Sequence, residues 1–398
     1  MASTPRAHET REATTLEPVQ LAAILAAAVV VASMLSVEAG IAVALLELGL
    51  GVALGNVFSL HSQQWLDFVA TFASIVLTFL AGAEVDPDDF RERFGVSVGI
   101  GVVSFAGPFV VAWLVSWGLL GWTLKASLIA GTALSTTSLA VIYAVLVETR
   151  LNTTKVGKLL MSACFVTDLC TALALSAIFI KPNAWFPAFI AVSVALIVLL
   201  PRIAPPFFRR YGDRVIEPEI KLIFVCLFAL MVLADAAKGH AVLPAFVLGL
   251  VMSRHYREHR QEQERLRVVA FAFLTPFFFL KGGLNVSLGA VFANLGLLAV
   301  LTAAKIVPKL GLVFPLAKRA DREHAPFITL LMSTGLTFGT ISSLYGLNAG
   351  IIDRTQFSLL VTVVVLSAIV PTAIAQGFFS SIRDLEGREE AVPAEEYV

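Results

Sequence analysis

"GTALSTTSLAV" (131–141) sets one glycine and five hydroxyl residues inside an otherwise apolar block. A second stretch of the same character, "STGLTFGTISS" (333–343), follows about 200 residues later. Either one alone fits close packing between membrane helices, where small residues let backbones approach. What the two mean together depends on how many spans separate them.

The composition decides the medium. Of 398 residues, 58% are hydrophobic and only 15% charged, and the mean hydropathy is +0.84. A soluble domain is about 45–50% apolar and about 25% charged, so this chain is a membrane protein. Its apolar residues come in blocks of about 20, the length of a spanning helix. The short alternating segments of a β-barrel are missing. A formal net charge of zero implies no acidic or basic partner, and no nucleic acid. Cys164, Cys170 and Cys226 all lie in apolar segments, give no disulfide framework and read as small core residues. The opening "MASTPRAHETREATTLEPVQ" (1–20) has mixed charge rather than the basic start of a signal peptide.

Blocks between charged and Pro/Gly breaks give thirteen expected spans. They run near 18–37, 40–58, 66–84, 95–118, 124–147, 157–180, 184–203, 219–237, 241–254, 267–283, 288–317, 325–347 and 355–380. The hydroxyl-rich stretches fall in spans five and twelve. Seven spans is an odd number, so the two cross in opposite directions. Six spans, a linker and six more is the arithmetic of an inverted repeat. In secondary transporters such repeats pair broken helices at the bilayer midplane, where irregular backbone is tolerated only inside protein or along a cavity. The expected fold is all-α and polytopic, with about 13 transmembrane helices, inverted six-helix repeats and two broken crossing helices. By our count about 20 of the 29 Lys and Arg residues fall on one side, in loops such as "DPDDFRERFG", "RRYGDR", "RHYREHRQEQERLR" and "KRADRE". That bias puts the N-terminus outside and the C-terminus in the cytoplasm.

One carboxylate lies beside the first broken helix. Asp168, in "SACFVTDLCTALALS" (162–176), has no charged residue within nine positions on either side. An ionised aspartate at that depth costs roughly 2.5–3.5 kcal/mol on insertion scales. A structural bond to a neighbouring helix is the plain account. The functional account is a carboxylate that takes either a proton or a monovalent cation, tuned by burial and nearby charge. Thr167 beside it, and Thr136, Thr137 and Ser138 in the broken helix, offer neutral oxygens. Thr334, Gly335 and Thr337 hold the matching place in the second break.

Lys305 and Lys309, in "TAAKIVPKLGLVF" (302–314), share one helix face. They either snorkel to the interface or put an ammonium at the ion site. Lys309, beside Pro308 and near Gly311, is the first choice for the second role. Lys281, before a double glycine, reads as an interfacial snorkelling residue. Glu84, Asp67, Asp235 and Glu47 lie at or near span ends and read as interfacial, with Glu47 the deepest. "HYREH" (255–259) fits a zinc-peptidase pattern but falls in the most arginine-rich loop, and Cys164 with Asp168 makes only two ligands. "GIGVVS" (99–104) is a poor match to a dinucleotide fingerprint with no strand before it. No cofactor and no resident metal are expected, and no pair of catalytic groups marks an enzyme.

"GTALSTTSLAVIYAVLVE" (131–148) followed by "VGKLLMSACFVTDLCTALALS" (156–176) resembles the broken helix and ion-binding helix of monovalent cation:proton antiporters. The similarity is to the sodium/proton exchanger branch, which includes potassium-efflux relatives. "FLAGAEVDP" (79–87), "AVLPAFVLGLVMSR" (241–254) and "TPFFFLKGGLNVSL" (275–288) are further landmarks in the family's order. The resemblance implies a homodimer in a prokaryotic plasma (inner) membrane. It implies a mobile core (about 95–180 and 288–380), a dimerisation scaffold (about 18–84 and 219–283), a linker helix (about 184–203) and tails at 1–17 and 381–398. The core would slide against the scaffold and expose the ion site to each side in turn.

Two departures from the family pattern matter. Electrogenic members carry two adjacent aspartates here, the first paired with a lysine; this chain has Thr167 in the first position, and Asp168 matches the essential one. The resemblance therefore implies electroneutral exchange of Na⁺ or Li⁺ for H⁺ at Asp168, with K⁺ as the rival ion. About 18 residues follow the last span, so pH gating is expected in the membrane part or its short loops rather than in a nucleotide-sensing domain. A sodium-coupled organic-anion symporter shares the architecture, but it would want a roomy polar cavity, and the scaffold spans read as almost purely aliphatic.

Overall fold

The computed structural model describes residues 17–39, 42–85, 94–149, 151, 154–178, 183–212, 214–237 and 239–389. The N-terminal tail to residue 16, the arginine-bearing loop 86–93 and the tail from 390 lie outside the described residues. Those described form helices and no strands. Nine helical stretches among them are long and apolar enough to cross a membrane.

The first group is α1 (Pro18–Ala39), α2 (Val43–Val57), α3 (Gln64–Ala83) and α4 (Phe94–Leu114). Next come the half-helices α5 (Leu124–Ser135) and α6 (Leu139–Glu148), then α7 (Lys155–Ile178) and α8 (Phe186–Tyr211). The helices α9 (Pro218–Ala236), α10 (Val242–Glu258), α11 (Arg260–Val269) and α12 (Thr275–Leu284) follow. The last are α13 (Leu288–Ala293), α14 (Leu295–Ala320), the half-helices α15 (Ala325–Met332) and α16 (Thr337–Asn348), and α17 (Arg354–Glu389). Both hydroxyl-rich stretches thus interrupt a helix, at 136–138 and at 333–336.

Several elements run past their expected ends. Helix α8 continues from 203 to Tyr211 through Pro205 and Pro206, because its other backbone bonds hold the turns together around each proline. The loop expected at "RHYREHRQEQERLR" is almost entirely helical. Helix α10 reaches Glu258, the chain turns at His259, and α11 starts at Arg260. His255 meets Glu262 at 2.8 Å across that corner, and Leu266 is the buried residue of α11. A π-helical segment (Ala270–Leu274) then joins α11 to α12. Charged side chains at a membrane surface keep their heads in water while their backbone stays helical, so a charge run alone does not mark a loop. The expected eleventh span divides into α13 and α14, with Asn294 between them.

Burial separates the lipid-facing helices from the centre. The most apolar windows of α1 and α8 are each only 17% buried, whereas the one in the broken pair α15–α16 is 89% buried. The hydroxyl-rich, interrupted element is the innermost, as expected where backbone groups must be satisfied inside protein. Helix α4 packs against α5, α7 and α14, while α2 pairs with α12 and α3 with α10. Glycines set the last two pairings. A Cβ on Gly82 would stand 2.1 Å from the Phe246 carbonyl oxygen, and one on Gly249 1.9 Å from that of Phe79. Gly51 and Gly283 play the same part between α2 and α12.

Gly249→Val is expected to force α3 and α10 apart, lowering stability by about 1–3 kcal/mol, the usual cost of overpacking. A lowered unfolding midpoint in detergent checks this. Gly289→Ala, where a Cβ meets nothing within 4 Å, is expected to leave the midpoint unchanged.

Candidate functional site

Four helix ends meet where the two broken segments cross. Helix α5 ends at Ser135, and Thr136 is extended (φ −65°, ψ 155°). Helix α15 ends at Met332, and α6 and α16 restart the chain beyond each break. A helix C-terminus carries exposed carbonyls and a partial negative charge, and an N-terminus the reverse. The breaks therefore put carbonyl oxygens into the protein interior, where they need donors.

Lys305 and Lys309 supply them. Both side chains are fully buried, so neither snorkels to the interface. Lys305 Nζ donates to the carbonyls of Leu134 (3.0 Å) and Thr136 (3.1 Å). Lys309 Nζ donates to the Thr136 carbonyl (2.9 Å), Thr137 Oγ1 (3.1 Å) and the Met332 carbonyl (2.8 Å). Lys309 thus ties the end of α5 to the end of α15, and both lysines share the Thr136 carbonyl. Their fit is tight: a Cβ on Gly335 would lie 2.5 Å from Lys305 Nζ and 3.1 Å from the Thr136 carbonyl oxygen.

Asp168, near the middle of α7, is 2% exposed. Its Oδ1 is buried with no hydrogen-bond partner among the described residues. Lys309 is within electrostatic reach of it, but the ammonium protons are directed to the carbonyls described above. The Thr167 hydroxyl is tied back to the backbone, sharing its proton between the Ala163 (3.0 Å) and Gly101 (3.3 Å) carbonyls. Thr137 Oγ1 also donates to the Met332 carbonyl (3.3 Å), and Ser138 Oγ accepts from the Val141 amide (3.4 Å) at the start of α6. Thr334 bonds the Leu331 carbonyl (2.7 Å), and Thr337 is half-buried at the start of α16.

Other ionisable residues fall differently from expectation. Lys281, expected at the interface, is 1% exposed and pairs with Asp67 at 2.9 Å. Asp67, half exposed, reaches in from the start of α3 and neutralises it there. Glu47 is 1% exposed, consistent with the deeper placement expected for it. Two residues of "GIGVVS" (99–104), which carried no signal in sequence, touch the site: the Gly101 carbonyl holds Thr167, and Ser104 Oγ donates to the Met332 carbonyl (3.4 Å). Only their small size on an apolar helix hinted at a close approach.

Two cavities lie at opposite ends of α3. One, of about 460 Å³, is lined by Ser74, Asp235, His240, Tyr345 and Asn348. The other, of about 360 Å³, is lined by Glu84, Tyr143, Met161, Ser253 and Arg267. Between these levels run the rings of Phe165, Phe246 and Phe338, with centroids 5.4 and 6.2 Å apart. All three rings are buried.

The profile of the sodium/hydrogen exchanger transmembrane family matches residues 21–379. The chain belongs to that family. It is 25% identical over 326 residues to a probable Na⁺/H⁺ antiporter 3 of Methanocaldococcus jannaschii, covering 79% of this chain and 83% of that one. It is also 25% identical to K⁺/H⁺ antiporter 1 of Saccharomyces cerevisiae, over 86% of this chain but 42% of the yeast protein, so it spans less than half of that relative. The solved structure of the sodium proton antiporter MjNhaP1 from Methanocaldococcus jannaschii superposes with a TM-score of 0.69 at 13% identity, covering 93% of this chain and 99% of that one. The fold is therefore shared with a transporter. These relatives are cation/proton antiporters and not enzymes.

Lys305→Met is expected to lower stability by about 1–3 kcal/mol, the cost of leaving the buried Leu134 carbonyl unpaired, and Lys309→Met by less, because the Met332 carbonyl keeps Thr137 and Ser104 as donors. The shared Thr136 carbonyl loses both donors only in the double variant, which should therefore be worse than the sum. Unfolding midpoints of the four proteins check this, and strict additivity would contradict the shared-carbonyl geometry.

Proposed function

We propose that the protein exchanges a monovalent cation, Na⁺ or Li⁺, for H⁺, with Asp168 as the one group that both occupy. The observation that carries this is the carboxylate itself: buried, with Oδ1 unpartnered, beside a crossing whose two ammonium groups bond to backbone carbonyls. A carboxylate in that setting gains from binding either a proton or a metal ion, and it cannot hold both at once. Thr136, Thr137 and Ser138, with Thr334, Gly335 and Thr337 across the crossing, line the place where neutral oxygens meet a dehydrated cation. Thr167 is already bonded to backbone and serves to hold α7 against α4. Lys309 and Lys305 are the charge-compensating residues, acting on the helix ends rather than on a second aspartate. One exchangeable carboxylate supports electroneutral exchange, one cation per proton.

The packing supports an elevator motion. Helices α4–α7 and α13–α17 form the moving core, and α1–α3 and α9–α12 form the scaffold of a homodimer, with α8 as linker. Cavities at both ends offer two approaches, and the buried aromatic rings close the path between them. Phe165 and Phe338 ride on the core, Phe246 on the scaffold, so sliding changes which approach is sealed. The protein resides in the plasma (inner) membrane, with its N-terminus outside and its C-terminus in the cytoplasm. K⁺/H⁺ exchange is the second reading, favoured by the yeast relative and by threonine at 167.

Purified protein in liposomes with a trapped pH-sensitive dye and an imposed proton gradient tests the proposal. Addition of Na⁺ or Li⁺ is expected to dissipate the gradient, and Asp168→Asn to abolish the response. A response to K⁺ alone would select the second reading. Full activity in Asp168→Asn would remove the carboxylate from the mechanism.

A further inference from the structure

Helix α7 carries a narrow stripe of side chains that exchange uses only in part. Met161, Cys164 and Asp168 are three and four residues apart. They therefore stand one above another on one helix face, with neighbouring Cβ atoms about 5–6 Å apart. Met161 lines the cavity of about 360 Å³. Cys164 is fully buried, forms no disulfide and belongs to the apolar cluster that also holds Ile142 of α6 and Met332 of α15. Asp168 and Lys309 are both within electrostatic reach of its thiol. Asp168 in turn keeps a buried Oδ1 with no hydrogen-bond partner among the described residues.

A buried cysteine is ordinarily a small, inert core residue, and Cys170 and Cys226 fit that account. Cys170 lies on the far side of α7 from Asp168, and Cys226 lies on α9 in the other group of helices. Among the described residues no carboxylate or ammonium acts on either thiol. Cys164 differs because a carboxylate with a free oxygen stands one turn away. Na⁺ and Li⁺ take oxygen donors, whereas thiolates select soft ions such as Cu⁺. One sulfur and one carboxylate oxygen are the pair of donors that a soft monovalent ion of low coordination number accepts.

We infer that Cys164 and Asp168 together bind soft monovalent cations of the Ag⁺ and Cu⁺ class, and that the bound ion arrests exchange. Binding breaks the S–H bond and forms a bond from sulfur to the metal ion, while the thiol proton passes to solvent. Thiolate, carboxylate and metal ion then carry one net negative charge, which the Lys309 ammonium balances. Sulfur holds such an ion far longer than oxygens hold Na⁺, so the carboxylate that must reload in every cycle stays occupied. The arrest rests on the exchange reading above; the binding rests on the two side chains alone.

The test pairs transport with direct binding. Exchange in proteoliposomes is measured in nitrate salts with added silver nitrate, each protein being referred to its own rate without silver. Wild type is compared with Cys164→Ser, Cys164→Ala and a protein carrying Cys170→Ser and Cys226→Ser, which keeps Cys164 as its single cysteine. Micromolar silver is expected to stop wild type and the single-cysteine protein alike, saturating Na⁺ to protect both, and an added thiol to restore them. The two Cys164 variants are expected to need at least about tenfold more silver. The single-cysteine protein in detergent is expected to retain a single silver ion per chain, measured by atomic emission. Adding Asp168→Asn to it should weaken that binding at least about tenfold, the loss that even an outer partner of a metal ligand brings. Equal silver sensitivity in wild type and both Cys164 variants overturns the inference. Unchanged silver affinity with Asp168→Asn reduces the site to a lone thiol and also overturns it. A wild type that exchanges no cation, yet holds silver through both side chains, overturns the exchange reading and upholds the binding.

Discussion

Two helix C-termini meet in the interior of this protein, and their carbonyls have no water to turn to. Each unpaired carbonyl would cost about 1–3 kcal/mol, and the paired partial charges of the two helix ends repel one another. Two lysines one turn apart on α14 resolve both problems, with Nζ–O distances of 2.8 to 3.1 Å. The broken helices can exist at that depth because α14 is there, and α14 is held in turn by α4 and the α15 end. A buried ammonium is itself expensive, so the lysines and the breaks stabilise each other.

That arrangement defines what is left for Asp168. With the ammonium protons directed at backbone oxygens, the carboxylate keeps a buried oxygen without a partner. The neighbouring position holds Thr167 and not a second carboxylate, and the threonine hydroxyl turns to the α4 backbone. The proposed site thus has one carboxylate, set among hydroxyls and carbonyls. In the proposed elevator motion the surrounding helices divide the mechanical work. Glycine contacts lock α3 to α10 and α2 to α12 backbone to backbone, whereas the contact of Phe246 with Phe165 and Phe338 is made of rings. Flat apolar surfaces can slide with little loss; interlocked backbones cannot.

The membrane setting and the two interruptions were legible because hydropathy and Ser/Thr/Gly enrichment are local properties. Asp168 stood out for the same reason: one charge in a long apolar run. The role of Lys305 and Lys309 was only half legible. Spacing put them on one face, but most of their partners lie about 170 residues away in sequence, and most are backbone carbonyls of a kind that every residue carries. Lys281 was misjudged because Asp67, which neutralises it, comes from another helix. Proline and charge do not end a helix by themselves: α8 and α10 continue past the ends expected at 203 and 254, and α11 fills the charged stretch before the span expected from 267. Gly101 and Ser104 left almost no trace, since small residues on an apolar helix are common.

The most direct test of a single exchanging carboxylate is the null point of transport. Liposomes containing the protein are given a fixed cation gradient, the pH difference at which no net proton flux occurs is found, and the membrane potential is then changed. With Asp168 as the only exchanging group, the null point lies where the proton gradient equals the cation gradient, and it does not move with potential. A null point at a smaller pH difference, shifting as the potential is changed, would mean that more than one proton moves per cation and would contradict the single-carboxylate site.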